Sequence, residues 1–115
     1  MNVASVAADL FRRLRLRYDG RDAVLLESVG DGAGHGNGGW SDAIAMSIWP
    51  SKGLNVYGFE VKATRSDWLR ELDKPHKNAT WQTFTDEWYI VAPKGAVELA
   101  ELPGDWGLMV PKGDD

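Results

Sequence analysis

Three charged side chains stand in apolar company. Asp42 heads the run from Ser41 to Trp49, and Glu60 and Lys62 lie two apart within the run from Asn55 to Ala63. Successive side chains of an extended strand alternate, so Val56, Gly58, Glu60 and Lys62 share one face, while Tyr57, Phe59, Val61 and Ala63 share the other. Pro50-Ser51-Lys52-Gly53 supplies a turn between the two runs, which pairs them as an antiparallel hairpin. A hairpin centred near Lys52 sets Asp42 opposite residues 60 to 63. Two carboxylates and one ammonium group then gather at one end of it.

Two hard carboxylates with open positions suit Mg²⁺ or Mn²⁺, which retain waters and accept phosphate oxygens. The adjacent Lys62 can orient or activate a water. Such a group meets the needs of phosphodiester hydrolysis, in which a metal polarises phosphorus–oxygen bonds and neutralises charge on the leaving oxygen. The spacing alone carries little, because a chain with 17 acidic residues and six lysines contains an acid-x-Lys triplet about once by chance. The setting carries more: a charged pair in an apolar strand has no easy structural excuse. A salt bridge at the sheet end remains the competing reading of the same charges.

The elements that must hold these groups can be read on either side of the hairpin. Val3, Val6, Ala7, Leu10, Phe11 and Leu14 recur at helical spacing and predict a helix from Asn2, a capping residue, to Arg17. Ala23 to Val29 reads as a strand. Gly30 to Gly39 contains six glycines and reads as a flexible loop; it lacks the G-x-x-x-x-G-K-[ST] of a phosphate cradle. Ser41 to Trp49 is apolar on both faces after Asp42, as in a strand covered on two sides. Thr64-Arg65-Ser66-Asp67 matches a capping pattern and starts a helix near Arg65, carrying Trp68, Leu69 and Leu72. Pro75 interrupts it and opens a short helix through Phe84. Trp88 to Ala92 is almost wholly apolar, a strand buried on both faces. A helical crossover between two strands implies a parallel pair, so the sheet is mixed. Val97 to Leu102 is a short helix or turn, Trp106 to Val110 an edge strand, and residues 111–115 an acidic tail. The predicted class is α/β, one domain over residues 1–115 with a mixed sheet flanked by helices.

Composition bounds the partners. A length of 115 residues fits one core. The absence of cysteine excludes disulfides and thiolate chemistry, and two histidines, His35 and His76, are too few for a histidine-rich metal site. No run is long enough to span a bilayer and no signal peptide is recognisable, so a cytoplasmic protein without a membrane partner is expected. The formal charge of −4 disfavours a general nucleic-acid coat. Arg12, Arg13, Arg15, Arg17 and Arg21 nevertheless concentrate positive charge, either as a solvated helix face or as a binding surface. A small domain offers a short DNA footprint, which makes a homodimer plausible. Six tryptophans are many for this length; Trp68, Trp88 and Trp106 read as core, and Trp40 and Trp81 as freer aromatics that could stack on bases.

The order helix, strand, Asp42-bearing strand, Glu60-x-Lys62 strand, helix, strand resembles the PD-(D/E)XK nuclease superfamily, with its restriction-endonuclease-like αβββαβ core. The string Gly58-Phe59-Glu60-Val61-Lys62-Ala63-Thr64-Arg65-Ser66-Asp67-Trp68-Leu69, followed by Glu71-Leu72, Asp73-Lys74-Pro75 and Lys77, is similar to MmcB-like DNA-repair proteins and phage nuclease-like proteins. Glu101-Leu102-Pro103 and Trp106-Gly107-Leu108 resemble the same group. The resemblance runs from Val24 to Val110. It implies a metal-dependent DNA nuclease in which Asp42 and Glu60 bind Mg²⁺ or Mn²⁺, the Val61 carbonyl is a third ligand and Lys62 assists the attacking water. It also implies that an upstream acid, Glu27, joins the metal site. Ser41 stands where the superfamily often has proline. Arg65, Lys74 and Lys77 follow the central strand and could seat the DNA backbone on phosphate contacts. A module that keeps the fold and binds nucleic acid without cutting it is the alternative.

Overall fold

The computed structural model describes residues 2–18, 23–30, 40–49, 53–73 and 79–112, without the side chains of residues 29, 30, 40 and 79–81. Helix α1 runs Val3–Tyr18, and strands β1, β2 and β3 run Ala23–Gly30, Trp40–Ser47 and Val56–Val61. Helices α2 (Arg65–Leu72) and α3 (Ala79–Phe84) precede strand β4 (Glu87–Val91), and a 3₁₀ turn at Leu99–Glu101 leads to the short strand β5 (Gly107–Met109). The Asn2 side chain caps α1 by accepting the Ser5 N–H at 2.8 Å, and Thr64 Oγ1 caps α2 by accepting the Asp67 N–H at 3.1 Å. The predicted elements are all present, with ends displaced by one or two residues where fraying and turn geometry set them, except that the expected break and helix start at Pro75 lie outside the described residues. Among the described residues no helix is long and apolar enough to cross a membrane.

The sheet order is β1-β2-β3-β4-β5. The first two pairings are antiparallel and the last two parallel, so the sheet is mixed as expected. Alternation sends Leu25, Ala43, Ala45, Phe59 and Val91 to one face, where Leu10 and Leu14 of α1 close the core. Each leucine buried in this way contributes about 1.5–3 kcal/mol. The opposite face buries Ile90 and Ala92 beneath Trp68 of α2, with Leu72, Trp106 and Leu108 around them. The side-chain core therefore lies in two layers separated by the sheet.

One expectation needs adjustment. The second face of β2 is covered at Ile44 but not at Met46, and Ile48 and Trp49 beyond the strand are also exposed. The reason is reach: α2 packs over β4 and β5, leaving Val24 and Leu26 of β1 and Met46 of β2 beyond its cover. The stretch from 31 to 39, most of the glycine-rich loop, lies outside the described residues, as do residues 113–115 of the acidic tail.

Candidate active site

The site begins where β2 and β3 stop pairing. Their register runs from Met46↔Val56 to Ala43↔Phe59, and continuing it by one residue sets Asp42 beside Glu60. Opposed residues of an antiparallel pair have Cβ atoms roughly 4.5–5.5 Å apart on the same face. Beyond Ala43, side chains take over from the ladder. Asp42 Oδ2 accepts the Val61 N–H at 2.7 Å, a charge-assisted bond that fixes one carboxylate oxygen. Ser41, fully buried, aims its hydroxyl at the Ala43 carbonyl (2.7 Å) and lies 3.3 Å from the Phe59 carbonyl. A proline there could satisfy neither carbonyl, so Ser41 does by hydrogen bonding what a rigid ring would have to do by shape. Across the other edge of β2, the register faces Asp42 with Ser28, whose φ of 54° is uncommon outside glycine.

Glu60 is 4% exposed and shares its face with Ile90, its partner on β4. Lys62 continues the strand direction through its N–H to the Val91 carbonyl at 2.9 Å. Its ammonium lies 3.0 Å from Glu71 Oε1 of α2, with side-chain exposures of 12% and 0%. Asp42, Glu60 and Lys62 thus project from one sheet face, and Glu71 meets the last of them from the covering helix. Val61 points its side chain into the α1 core, so only its backbone can serve a cation.

Glu27 corrects an expectation. Its register partner is Ala43, not Asp42, and partners share a face, so Glu27 projects on the α1 side of the sheet. There it binds Arg15 at 3.0 Å and cannot reach a cation held between Asp42 and Glu60. Among the described residues no group of three or more histidine, aspartate or glutamate side chains converges. The donor set is therefore two hard carboxylates and backbone oxygen. It fits Mg²⁺ or Mn²⁺ that keeps several waters, because a carboxylate offers about four lone-pair sites and Asp42 has only one oxygen committed to Val61.

Arg65 is also engaged within the protein. Its two terminal nitrogens meet Glu101 Oε1 and Oε2 at 2.8 and 2.7 Å, and one of them reaches the Ala96 carbonyl at 3.1 Å. Glu101 holds the Trp68 indole N–H at 3.0 Å as well, and accepts the Glu98 N–H. The Arg65 guanidinium raises its own pKa by this bond and, with the Glu98 N–H, pulls the Glu101 carboxyl down to about 2. A fork bound to an internal carboxylate in this way clamps α2 while the arginine side chain stays 44% exposed. Lys74 and Lys77, the other two residues expected to contact DNA, lie outside the described residues, as does the side chain of Trp81.

Glu71 is the residue that sequence reasoning missed. The signal was present: Trp68, Glu71 and Leu72 fall at i, i+3 and i+4, the stripe of α2 that must face the sheet. A charge on that stripe needs a buried partner, and Lys62 is one that it has.

No family model matches the chain, and no curated protein matches it. Among solved structures it is similar to SPO1766, a protein of unknown function from Silicibacter pomeroyi, with a TM-score of 0.56 and 21% identity. The match covers 96% of this chain and 64% of that one, so this chain spans a little under two thirds of its neighbour's length. At that identity the likeness is one of fold.

Proposed function

We propose that this protein is a metal-dependent DNA nuclease that hydrolyses phosphodiester bonds, acting in the cytoplasm in DNA repair, recombination or phage DNA processing. The observation that carries the reading is the meeting of Asp42 and Glu60 at the point where two strands part, with Lys62 on the same face. Two acids placed side by side repel one another, and a bound cation is the simplest thing that makes such a pair favourable.

In this reaction a water oxygen forms a bond to phosphorus and one bridging phosphorus–oxygen bond breaks. The water gives up a proton to solvent and the departing oxygen takes one. Asp42, Glu60 and the Val61 carbonyl would hold Mg²⁺ or Mn²⁺, which supplies an acidified water and charge neutralisation when bound. Asp42 is oriented for that task by the Val61 N–H. The Lys62 ammonium, nearly buried, donates hydrogen bonds either to the attacking water or to a non-bridging phosphate oxygen. A homodimer would double the short footprint of one domain.

A second reading, a nucleic-acid-binding or assembly module without cleavage, draws support from a specific feature: among the described residues, Lys62 and Arg65 beside the site are already matched by Glu71 and Glu101. One assay separates the two. Single-stranded, duplex and branched DNA are incubated with Mn²⁺ or with EDTA, and binding is scored beside strand scission. A nuclease cuts only with Mn²⁺, and Asp42→Asn or Glu60→Gln lowers the rate by at least about 100-fold, the upper end of what loss of a supporting metal-site residue causes. Binding without scission establishes the module, and scission undiminished in both variants refutes the site.

A further inference from the structure

We propose that Glu71 is a positioning residue that keeps the Lys62 ammonium off the Asp42–Glu60 pair; the inference rests on the nuclease reading above. Lys62 stands two residues from Glu60 on the same strand face, and its stem of four methylenes is flexible. Left to itself, that ammonium has two nearby carboxylates onto which it can fold, and there it would occupy the place of a cation or of the attacking water. Glu71 offers a competing carboxylate from the opposite side. Its oxygen lies 3.0 Å from Nζ, its side chain is fully buried, and the lysine is 12% exposed.

The helix that carries Glu71 is held rigidly enough to serve as a reference point. Thr64 caps it, Trp68 is buried one turn before Glu71, and Glu101 ties both Trp68 and Arg65 to the segment after β4. Stability is a weak reason for the pair to exist, since apolar side chains of equal volume often replace a buried ion pair without loss. A role as a third metal ligand is disfavoured, because no three acidic groups converge among the described residues. What remains is control over where one ammonium points.

The test compares the wild type with Glu71→Gln and Glu71→Asp in Mn²⁺-dependent cleavage, alongside Mn²⁺ titration and the ¹⁵N signal of the Lys62 ammonium, assigned by its absence in Lys62→Arg. For Glu71→Gln, kcat should fall roughly 10- to 100-fold, the range for residues that orient a metal-site group. KM should hold. Mn²⁺ affinity should weaken because the released ammonium competes for the Asp42–Glu60 pair, and it should return in the double variant Glu71→Gln, Lys62→Met. The ammonium signal should shift from its wild-type position. Glu71→Asp restores the charge with the carboxylate retracted by one methylene, so kcat should recover in part. An unchanged kcat in Glu71→Gln overturns the inference and leaves the nuclease reading standing, and a loss of Mn²⁺ affinity that Lys62→Met does not restore overturns it in favour of a ligand role. If Glu71→Gln does not fold, Glu71→Asp decides: its kcat should lie about tenfold below wild type at the same KM, and full activity overturns the proposal. Failure of the wild type itself to cut DNA defeats the nuclease reading, an outcome visible without any Glu71 variant.

Discussion

At Gly58 a methyl group has nowhere to go. A Cβ built there would sit 2.3 Å from Trp88 Cε3 and 2.4 Å from Cζ3, with Thr85 Cγ2 at 3.0 Å. The indole is itself buried against the same face that carries Glu60, so it cannot swing aside without opening the layer beneath α2. Gly58→Ala should therefore cost about 1–3 kcal/mol by overpacking, read as a lowered urea midpoint at unchanged slope; wild-type stability would show that the ring yields freely. The residue scale also separates what the sequence could say from what it could not. Alternation is local, so the shared face of Glu60 and Lys62 was legible from a two-residue spacing. The face of Glu27 was not, because it depends on whether β1 registers Glu27 against Ala43 or against Asp42, a single-residue parity that no local pattern encodes. The true partner of Arg65 was hidden for the same reason: Glu101 lies 36 positions further along the chain.

At the scale of elements, α2 brings the Glu71 carboxylate to Lys62 of the hairpin, and its anchorage has a predictable pH dependence. Its start, cap and apolar stripe were readable from Thr64-Arg65-Ser66-Asp67 and Trp68. The clamp at its outer side was not, because it joins α2 to the 3₁₀ turn at Leu99–Glu101, whose position follows from the fold rather than from any nearby spacing. Glu101 is held at a pKa of about 2 against an ordinary value of 4.5, first by the Arg65 bond and then by the Glu98 N–H. A carboxylate with a lowered folded pKa stabilises the fold above its unfolded pKa, and that contribution fades as acid protonates it through its folded pKa. The Tm advantage of the wild type over Glu101→Gln should thus be constant above about pH 5 and shrink steadily between the two values of 4.5 and 2. A difference between the two proteins that ignores pH across that interval would show the clamp to be electrostatically idle. Asp9, which serves both Arg12 and Arg13 on α1 and has its pKa lowered by them, titrates equally in both proteins and cancels from the comparison.

Taken as a whole, the molecule divides its charge chemistry between the two faces of one sheet. On the α1 face the arginines are matched by structural acids, Arg12 and Arg13 by Asp9 and Arg15 by Glu27, so that part of the basic run serves the helix and its contact with β1. On the other face Lys62 is matched by Glu71, while Asp42 and Glu60 stand together where the ladder between β2 and β3 ends. A cation bound between Asp42 and Glu60 would make the whole-molecule stability a reporter of the site. A ligand that binds only the native state raises stability by RT ln(1 + [L]/Kd), about 2.7 kcal/mol at a hundredfold excess over Kd. For a domain of this size that corresponds to a rise in Tm on the order of 10 °C. Saturating Mn²⁺ should produce such a rise in the wild type, reversed by EDTA, and none in the double variant Asp42→Asn, Glu60→Gln. Equal melting of all samples with and without Mn²⁺ would mean that these carboxylates hold no ion, and the charged end of the hairpin would then be an ion-pair network built into a fold.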